Sequence, residues 1–297
     1  MLAEAIEEIV RELTSRTEKL APQFLYHYTT AEAFMGVCRN NELWLGDVRF
    51  MNDPSELSFG QKVAHRALQC FVDKPNAAII VDVVREALAG LVSRTIQQPT
   101  IFAFSLCSRG DSLSQWRQYG DQGRGYSIGF RSRTLLIPKD DSALGLFRVR
   151  YTQQDQEEIF TLFYSSMVES LRSWDGIWDR PLVLRQIAMG ISIISSVMKD
   201  RSYEAEQEWR LVVVLSAKRA SEILFMAKRS SIKPYIVRPF AELFGSDREF
   251  AGTLVTSVTL GPVLEPVVKE GVEMFISSTR YSSVKVGISK VPIRDVL

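Results

Sequence analysis

The chain has 297 residues, 46% of them hydrophobic and 24% charged, the proportions of a soluble globular protein and not of a disordered, collagenous or coiled-coil one. Its 36 Lys and Arg against 35 Asp and Glu leave a formal charge of +1, so no global field steers it towards nucleic acid or anionic lipid. Three cysteines, an odd number, do not make a disulfide framework, and a reducing compartment is the simpler reading.

The opening residues carry acids where a secretory leader would carry bases, and Ile6, Ile9, Val10 and Leu13 recur at helical spacing, predicting an N-terminal helix over 1–20. FLYHYT reads as a short strand ending at a Thr, Thr29, that caps the helix TAEAFMGVCRN, with Asn40 and Asn41 as terminators. ELWL and DVRFM predict strand pieces. In MNDPSE, Asp53 as cap, Pro54 at the first helical position and Glu56 closing a capping box predict a helix start. Helices follow over about 55–71 and 76–96. TIFAFSL suits a buried strand, DSLSQWRQY a helix, GDQGRG a turn, and YSIGF and LFRVRY further strands. Two more helices are predicted over about 154–172 and 181–199. The second, PLVLRQIAMGISIISSVMK, is too short and too polar to span a membrane. Strands return at EWRLVVVL, PYIVRPF and TLVTSVTL, before a helix near 264–277 and a last strand, SVKVGIS. Without repeats or linkers, this pattern predicts one mixed α+β domain over 1–297, with helical insertions at about 55–96 and 154–199. It is expected to be cytoplasmic, with no membrane partner.

Histidine is scarce, and that narrows the chemistry. His27 and His65 are the only two, which removes zinc sites built on several imidazoles, and no metal is expected. Neither a G-x-S-x-G elbow nor a Walker motif occurs, and GDQGRG has its glycines in the wrong order for a dinucleotide fingerprint. His27 sits in a strand beside Thr29, either as a core imidazole satisfied by a backbone carbonyl or aimed at a ligand hydroxyl. His65, mid-helix near Lys62 and Arg66, reads as a surface or structural residue. In EAEQEWRLVVVL, period two puts Glu206, Glu208 and Arg210 on one strand face, leading into a buried interior. Carboxylates there are either paired with arginine or face a positive charge developing in a reaction, as in glycosidic cleavage. Trp116, Tyr119 and Tyr126 are core packing or a stacking wall for a planar ring. Asp53 and Glu56 are accounted for by capping. Lys218, Arg219, Lys228, Arg229, Lys233 and Arg238 surround the single acid Glu222, a solvated surface or a track for a phosphate backbone.

LYHYT, MNDPSE, SQWRQYGD and EQEWRLV, with LGP at 260–262, resemble in their order a widespread bacterial family of unknown function, over residues 24–294. The strand ending in His-x-Thr, then a helix and a turn into a strand, is also similar to the opening of ADP-ribosyltransferase-like proteins, which include DNA-modifying toxins and tRNA phosphotransferases. This resemblance implies a split β-sheet core and NAD as co-substrate. His27 would hold a ribose hydroxyl, Glu208 would act as catalyst, and Glu206 would orient the acceptor. Trp116, Tyr119 or Tyr126 would stack on nicotinamide, with Thr29 and Arg210 beside the cofactor. The implied activity is cleavage of the nicotinamide glycosidic bond by a bacterial effector or toxin of phage defence. ADP-ribose would pass to a nucleic-acid or protein acceptor held by Lys218, Arg219, Lys228 and Arg229, and a regulatory partner protein is allowed for. Two rivals stand beside it: a non-catalytic nucleotide or nucleic-acid sensor, and a metal-dependent phosphodiesterase with Asp53, Glu56 and Glu208 around Mg²⁺.

Overall fold

A computed structural model describes residues 2–53, 55–136, 143–173, 178–228, 231–244 and 254–292. The chain runs α1 (Leu2–Leu20), β1 (Phe24–Thr29), α2 (Ala31–Asn40), β2 (Glu42–Asp47), α3 (Glu56–Phe71), α4 (Ala78–Ser93), β3 (Thr100–Cys107) and α5 (Leu113–Gln118). It continues with β4 (Tyr126–Arg131), α6 (Ser132–Leu135), β5 (Ala143–Arg148), α7 (Gln153–Arg172), α8 (Arg180–Ser195), β6 (Glu208–Leu215) and β7 (Leu224–Lys228). β8 (Ser231–Pro239), α9 (Phe240–Phe244), β9 (Val255–Leu260), α10 (Pro266–Ser277) and β10 (Lys285–Ile288) complete it.

The mixed α+β class holds, and the strands form one large mixed sheet that branches at β3. β6 pairs with β3 from Thr100 to Cys107 along one edge and carries β5 on its far side. The other edge of β3 is shared: Phe102 and Ala103 pair with β2, and Cys107 pairs with Tyr26 of β1. From there one arm runs β1-β4-β9-β10 and the other β2-β8-β7. Between the arms, Phe104, Ser105 and Leu106 have no ladder partner on that edge, and a buried unpaired carbonyl demands another donor.

Period two sorts the core. Ile101, Ala103 and Val212 face one cluster, formed with α1, α3, α4, α7 and α8, while Phe102, Phe104, Leu211 and Val213 face another. The two helical insertions, far apart in sequence, thus form one layer together with α1. Glu208 and Arg210 share the parity of Val212, so they point towards that helical layer.

Local signals hold where neighbours alone decide. Asn41 closes α2 at φ 57°, the left-handed conformation Asn tolerates, while the N-cap is Thr30, which accepts from Ala33 and lies one residue beyond the expected Thr29 that ends β1. Two expectations fail. VRF of DVRFM is a 3₁₀ turn, because the Asp47 carboxylate accepts from the Arg49 amide at 2.9 Å and curls the chain. The capping box does not form: Asp53 Oδ1 accepts from the Ser55 amide and hydroxyl, and Ser55 makes no side-chain cap. Pro54 lies outside the described residues.

Two helical glycines give a contrasting pair of tests. A methyl at Gly60 of α3 would overlap Ser195 of α8, whereas one at Gly271 of α10 meets nothing within 4 Å. Gly60→Ala is expected to cost about 1–3 kcal/mol by overpacking, and Gly271→Ala to be neutral or stabilising by up to about 1 kcal/mol. Urea midpoints check both; a stabilising Gly60→Ala would contradict the α3–α8 approach.

Candidate functional site

The end of α8 sets the first charge of the site. Beyond it the chain runs beside 149–151: the Arg150 amide donates to Val197 O, the Lys199 amide donates to Arg150 O, and Gln156 Nε2 donates to both Arg150 O and Lys199 O. This clamp fixes Lys199 with 2% of its surface exposed. A 3₁₀ turn, Arg201–Glu206, follows, and Gln207 enters β6 at φ 45°. That left-handed conformation costs a non-glycine residue about 1–2 kcal/mol. Gln207 is held by the Ser108 hydroxyl, which donates to its Oε1 at 2.7 Å, and by Arg109 Nε at 3.2 Å. Glu206 therefore does not alternate along the strand with Glu208 as period two predicts; the kink at Gln207 lets both carboxylates reach Lys199.

Five buried ionised side chains meet there. Lys199 Nζ lies 2.6 Å from Glu206, 2.8 Å from Glu208 and 3.2 Å from Glu56. Arg210, fully buried, forks onto Glu208 through Nε at 2.8 Å and Nη2 at 2.9 Å, and onto Glu56 through Nη1 at 2.7 Å and Nη2 at 2.9 Å. Its Nη1 also donates to Ser196 O at 2.6 Å. Three carboxylates face two cations, an excess of one negative charge, with bidentate arginine geometry offsetting part of the desolvation of the ions. Glu56 is thus a member of the charge cluster and not a cap; no local rule could separate the two roles. Lys199 is the other residue that sequence reasoning passed over. The available signal was a lysine closing the apolar run ISIISSVM, since lysine is rarely buried unless paired.

Burial pushes the Glu208 carboxyl up, but Arg210 and Lys199 outweigh it and hold it down at about 2. Burial likewise lowers Lys199, yet the glutamates around it raise its pKa above the usual lysine range. A carboxyl depressed from 4.5 stabilises the fold above that pH, and the contribution is lost as pH falls towards 2. Stability is expected to drop by about 1–3 kcal/mol over that window, and Glu208→Gln to flatten the slope. Urea midpoints from pH 5 to 2.5 measure it; an identical slope in the variant would contradict the assignment. The lysine has the opposite sign, and its contribution persists through neutral pH.

Beside the cluster, a small cavity of about 40 Å³ is lined by Tyr26, His27, Tyr28, Ser105, Leu106, Gln115, Tyr119, Glu206 and Glu208. His27 stands at the split in the sheet, its ring stacked on Phe104 at 4.2 Å. Its Nδ1 sits 2.8 Å from Ser105 O, the carbonyl that the diverging arms leave unpaired. A carbonyl only accepts, so Nδ1 carries the proton. His27 therefore meets the first of its two readings, satisfying a backbone carbonyl, and it also lines the cavity. Opposite it, α5 closes the cavity, with Tyr119 donating to Glu206 Oε1 at 2.8 Å and Gln115 Nε2 donating to Glu206 O at 3.3 Å. Burial first, and Glu206 next, push the Tyr119 hydroxyl far above its ordinary pKa, so it remains a donor. Burial also pushes the Cys107 thiol up to about 11, making it inert.

The other expected ligands lie elsewhere. Trp116 is fully buried, edge-on to Tyr28, with Nε1 donating to Asp111. Tyr126 stacks on Phe34 within the core. Thr29 is buried away from the cavity, and Arg210 lies behind its wall. Tyr119 is the aromatic of the three that lines the cavity. Of the basic stretch, Arg219 pairs with Glu222 and Glu242, Arg238 pairs with Glu222, and Lys233 donates to Phe50 O. Lys218 is exposed on a 3₁₀ turn, while the Lys228 side chain and Arg229 lie outside what is described. None of the described members reaches the cavity. Asp53 stays on its own turn, and Lys199 occupies the point where Glu56, Glu206 and Glu208 converge, which removes the basis for a metal site there.

The clamp, the 3₁₀ turn and most of the cluster fall on a single stretch of chain, Gln115 to Arg210. Residues 115–211 match the family described as Protein of unknown function (DUF2971). The DUF2971 segment carries Gln115, Tyr119, Lys199, Glu206, Glu208 and Arg210, and takes in nearly all of the SQWRQYGD and EQEWRLV blocks. LYHYT and MNDPSE lie outside it, so the segment receives His27 and Glu56 from the preceding chain. No curated protein and no solved structure matches the chain. Among the described residues, no helix is long and apolar enough to cross a membrane.

Proposed function

We propose that the chain is an NAD-consuming, ADP-ribosyltransferase-like enzyme whose site is the cavity between His27 and Glu208. One observation carries this reading: His27 of β1, Tyr119 at the end of α5, Glu206 of the 3₁₀ turn and Glu208 of β6 line one cavity. The donor set suits a ribose. An imidazole with a fixed tautomer and a carboxylate held ionised supply, respectively, a hydroxyl partner and a negative charge for a developing positive centre. A surface groove of about 550 Å³ is lined by Arg109, Asp111, Ser112 and Arg117. Tyr28 links the two places: it lines the cavity, while its hydroxyl donates to Arg109 O and accepts from the Ser112 amide. Cations there suit the pyrophosphate of a dinucleotide.

Size sets a condition. A volume of 40 Å³ holds two or three waters, not a ribose. NAD therefore requires α5 to move outward, breaking the Tyr119 and Gln115 contacts to Glu206. The same closure, with both glutamates held by Lys199, favours a second reading: a sensor that binds a nucleotide without chemistry. Incubation with NAD separates the two. Nicotinamide release, followed by chromatography, supports the enzyme; calorimetric binding without release supports the sensor; neither release nor binding overturns both.

A further inference from the structure

A second, far larger hollow lies in the helical layer, between α3, α4 and the Val48–Phe50 turn, with a volume of about 1100 Å³. Ligand pockets run to roughly 300–1,000 Å³, so a molecule of nucleotide size fits. Its lining is divided. Leu57, Leu88 and Leu91 contribute apolar wall, and Arg49, Lys62, Arg66, Arg85 and Arg94 contribute cations. Asp53 is the single carboxylate, and its Oδ1 already accepts from the Ser55 amide and hydroxyl. Three of these cations face acids that are not part of the lining, Asp47, Glu157 and Asp82, so the positive charge of the hollow rests on Lys62 and Arg94.

The cations are not spent on one another's neighbours alone. Arg49 is forked onto Asp47, Arg66 reaches Glu157 at 3.4 Å and Arg85 reaches Asp82 at 3.5 Å, the last two being loose, exposed pairs worth little. Lys62 and Arg94 make no ion pair with any described residue, and both are exposed within the hollow. Arg94 closes α4 at φ 60°, where glycine or asparagine is the usual choice. An arginine here accepts about 1–2 kcal/mol of backbone cost and presents a guanidinium at the mouth.

We propose that this hollow is a binding site for an organic phosphate of nucleotide size. Its phosphates are held by Lys62, Arg66 and Arg94, and its apolar body rests on Leu57, Leu88 and Leu91. The site is separate from the His27–Glu208 cavity and does not depend on the NAD reading. α3 links the two places: its first residue, Glu56, joins the buried charge cluster, and its next turns line the hollow.

Calorimetry with ATP, GTP, inorganic triphosphate and adenosine, at physiological salt, tests the proposal on the full chain. A nucleoside triphosphate is expected to bind, inorganic triphosphate at least about tenfold more weakly, and adenosine not at all. Affinity should fall as salt rises. The double variant Lys62→Glu, Arg94→Glu alters two exposed side chains, so it should fold with unchanged circular dichroism and lose at least about tenfold in affinity, while Lys62→Arg should retain binding. No binding by either nucleotide overturns the proposal, as does affinity undiminished in the double variant. Equal affinity for inorganic triphosphate overturns the role given to the apolar wall.

Discussion

Arg210→Met is expected to destabilise the protein by about 3–5 kcal/mol, the cost of leaving buried charges without their partner. The fully buried guanidinium donates to both oxygens of Glu56, to both oxygens of Glu208 and to Ser196 O. Its loss leaves Glu56, Glu206 and Glu208 with Lys199 as their one cation. A melting temperature lowered by roughly 10 °C follows from the usual scaling, and soluble yield should fall with it. Arg210→Lys keeps the charge but cannot fork onto two carboxylates, so it should recover only part of the loss. Thermal and urea unfolding measure both. A cost under about 1 kcal/mol for the methionine variant would mean that the cluster contributes nothing to stability.

Glu208→Gln is expected to separate chemistry from folding. The cluster holds three carboxylates against two cations, so removing one negative charge balances it. Glutamine keeps one oxygen for Arg210 at similar volume, and the melting temperature should shift by only a few degrees. Nicotinamide release should drop by at least about 100-fold, the scale on which one electrostatic stabiliser of a transition state matters. An unchanged rate would remove Glu208 from the mechanism. A collapse of the fold would show instead that Glu208 is there for the cluster. Glu206 gives a useful contrast, because Tyr119 binds its second oxygen. Tyr119→Phe frees α5 from that oxygen and should ease entry to the cavity, lowering the KM for NAD more than it changes kcat.

Much of the architecture was legible in local pattern. Helical patterning marked α1, α3, α4, α7 and α8, period two marked β1 and β6, and a bounded apolar run marked β3, because these signals arise within a few residues of chain. Asn41 was readable for the same reason, since a cap is satisfied by the backbone next to it, while the N-cap fell on Thr30, one residue past the expected Thr29. β7 was missed. LFMAK follows a 3₁₀ turn and pairs only with β8 at the sheet's edge, so burial imposes little pattern on it; Leu224 and Phe225 are exposed. Val48–Phe50 went wrong because a carboxylate competing for a backbone amide overrode a strand-like composition.

The site divides in the same way. That His27 and the Glu206–Glu208 pair belong to one pocket was inferred by resemblance, and the geometry brings them together through the split beside β3. By itself the sequence determined the strands that carry His27 and Glu208 and the alternation that turns Glu208 and Arg210 to one face. Only the tertiary structure decided that Glu56 abandons a helix cap for Arg210, that Lys199 is the shared counter-ion, that Trp116 and Tyr126 are core, and that five cations converge over α3 and α4. The reason is physical. Periodicity and capping are settled by near neighbours, whereas the cost of burying an ion is offset by a partner that can sit 154 residues away.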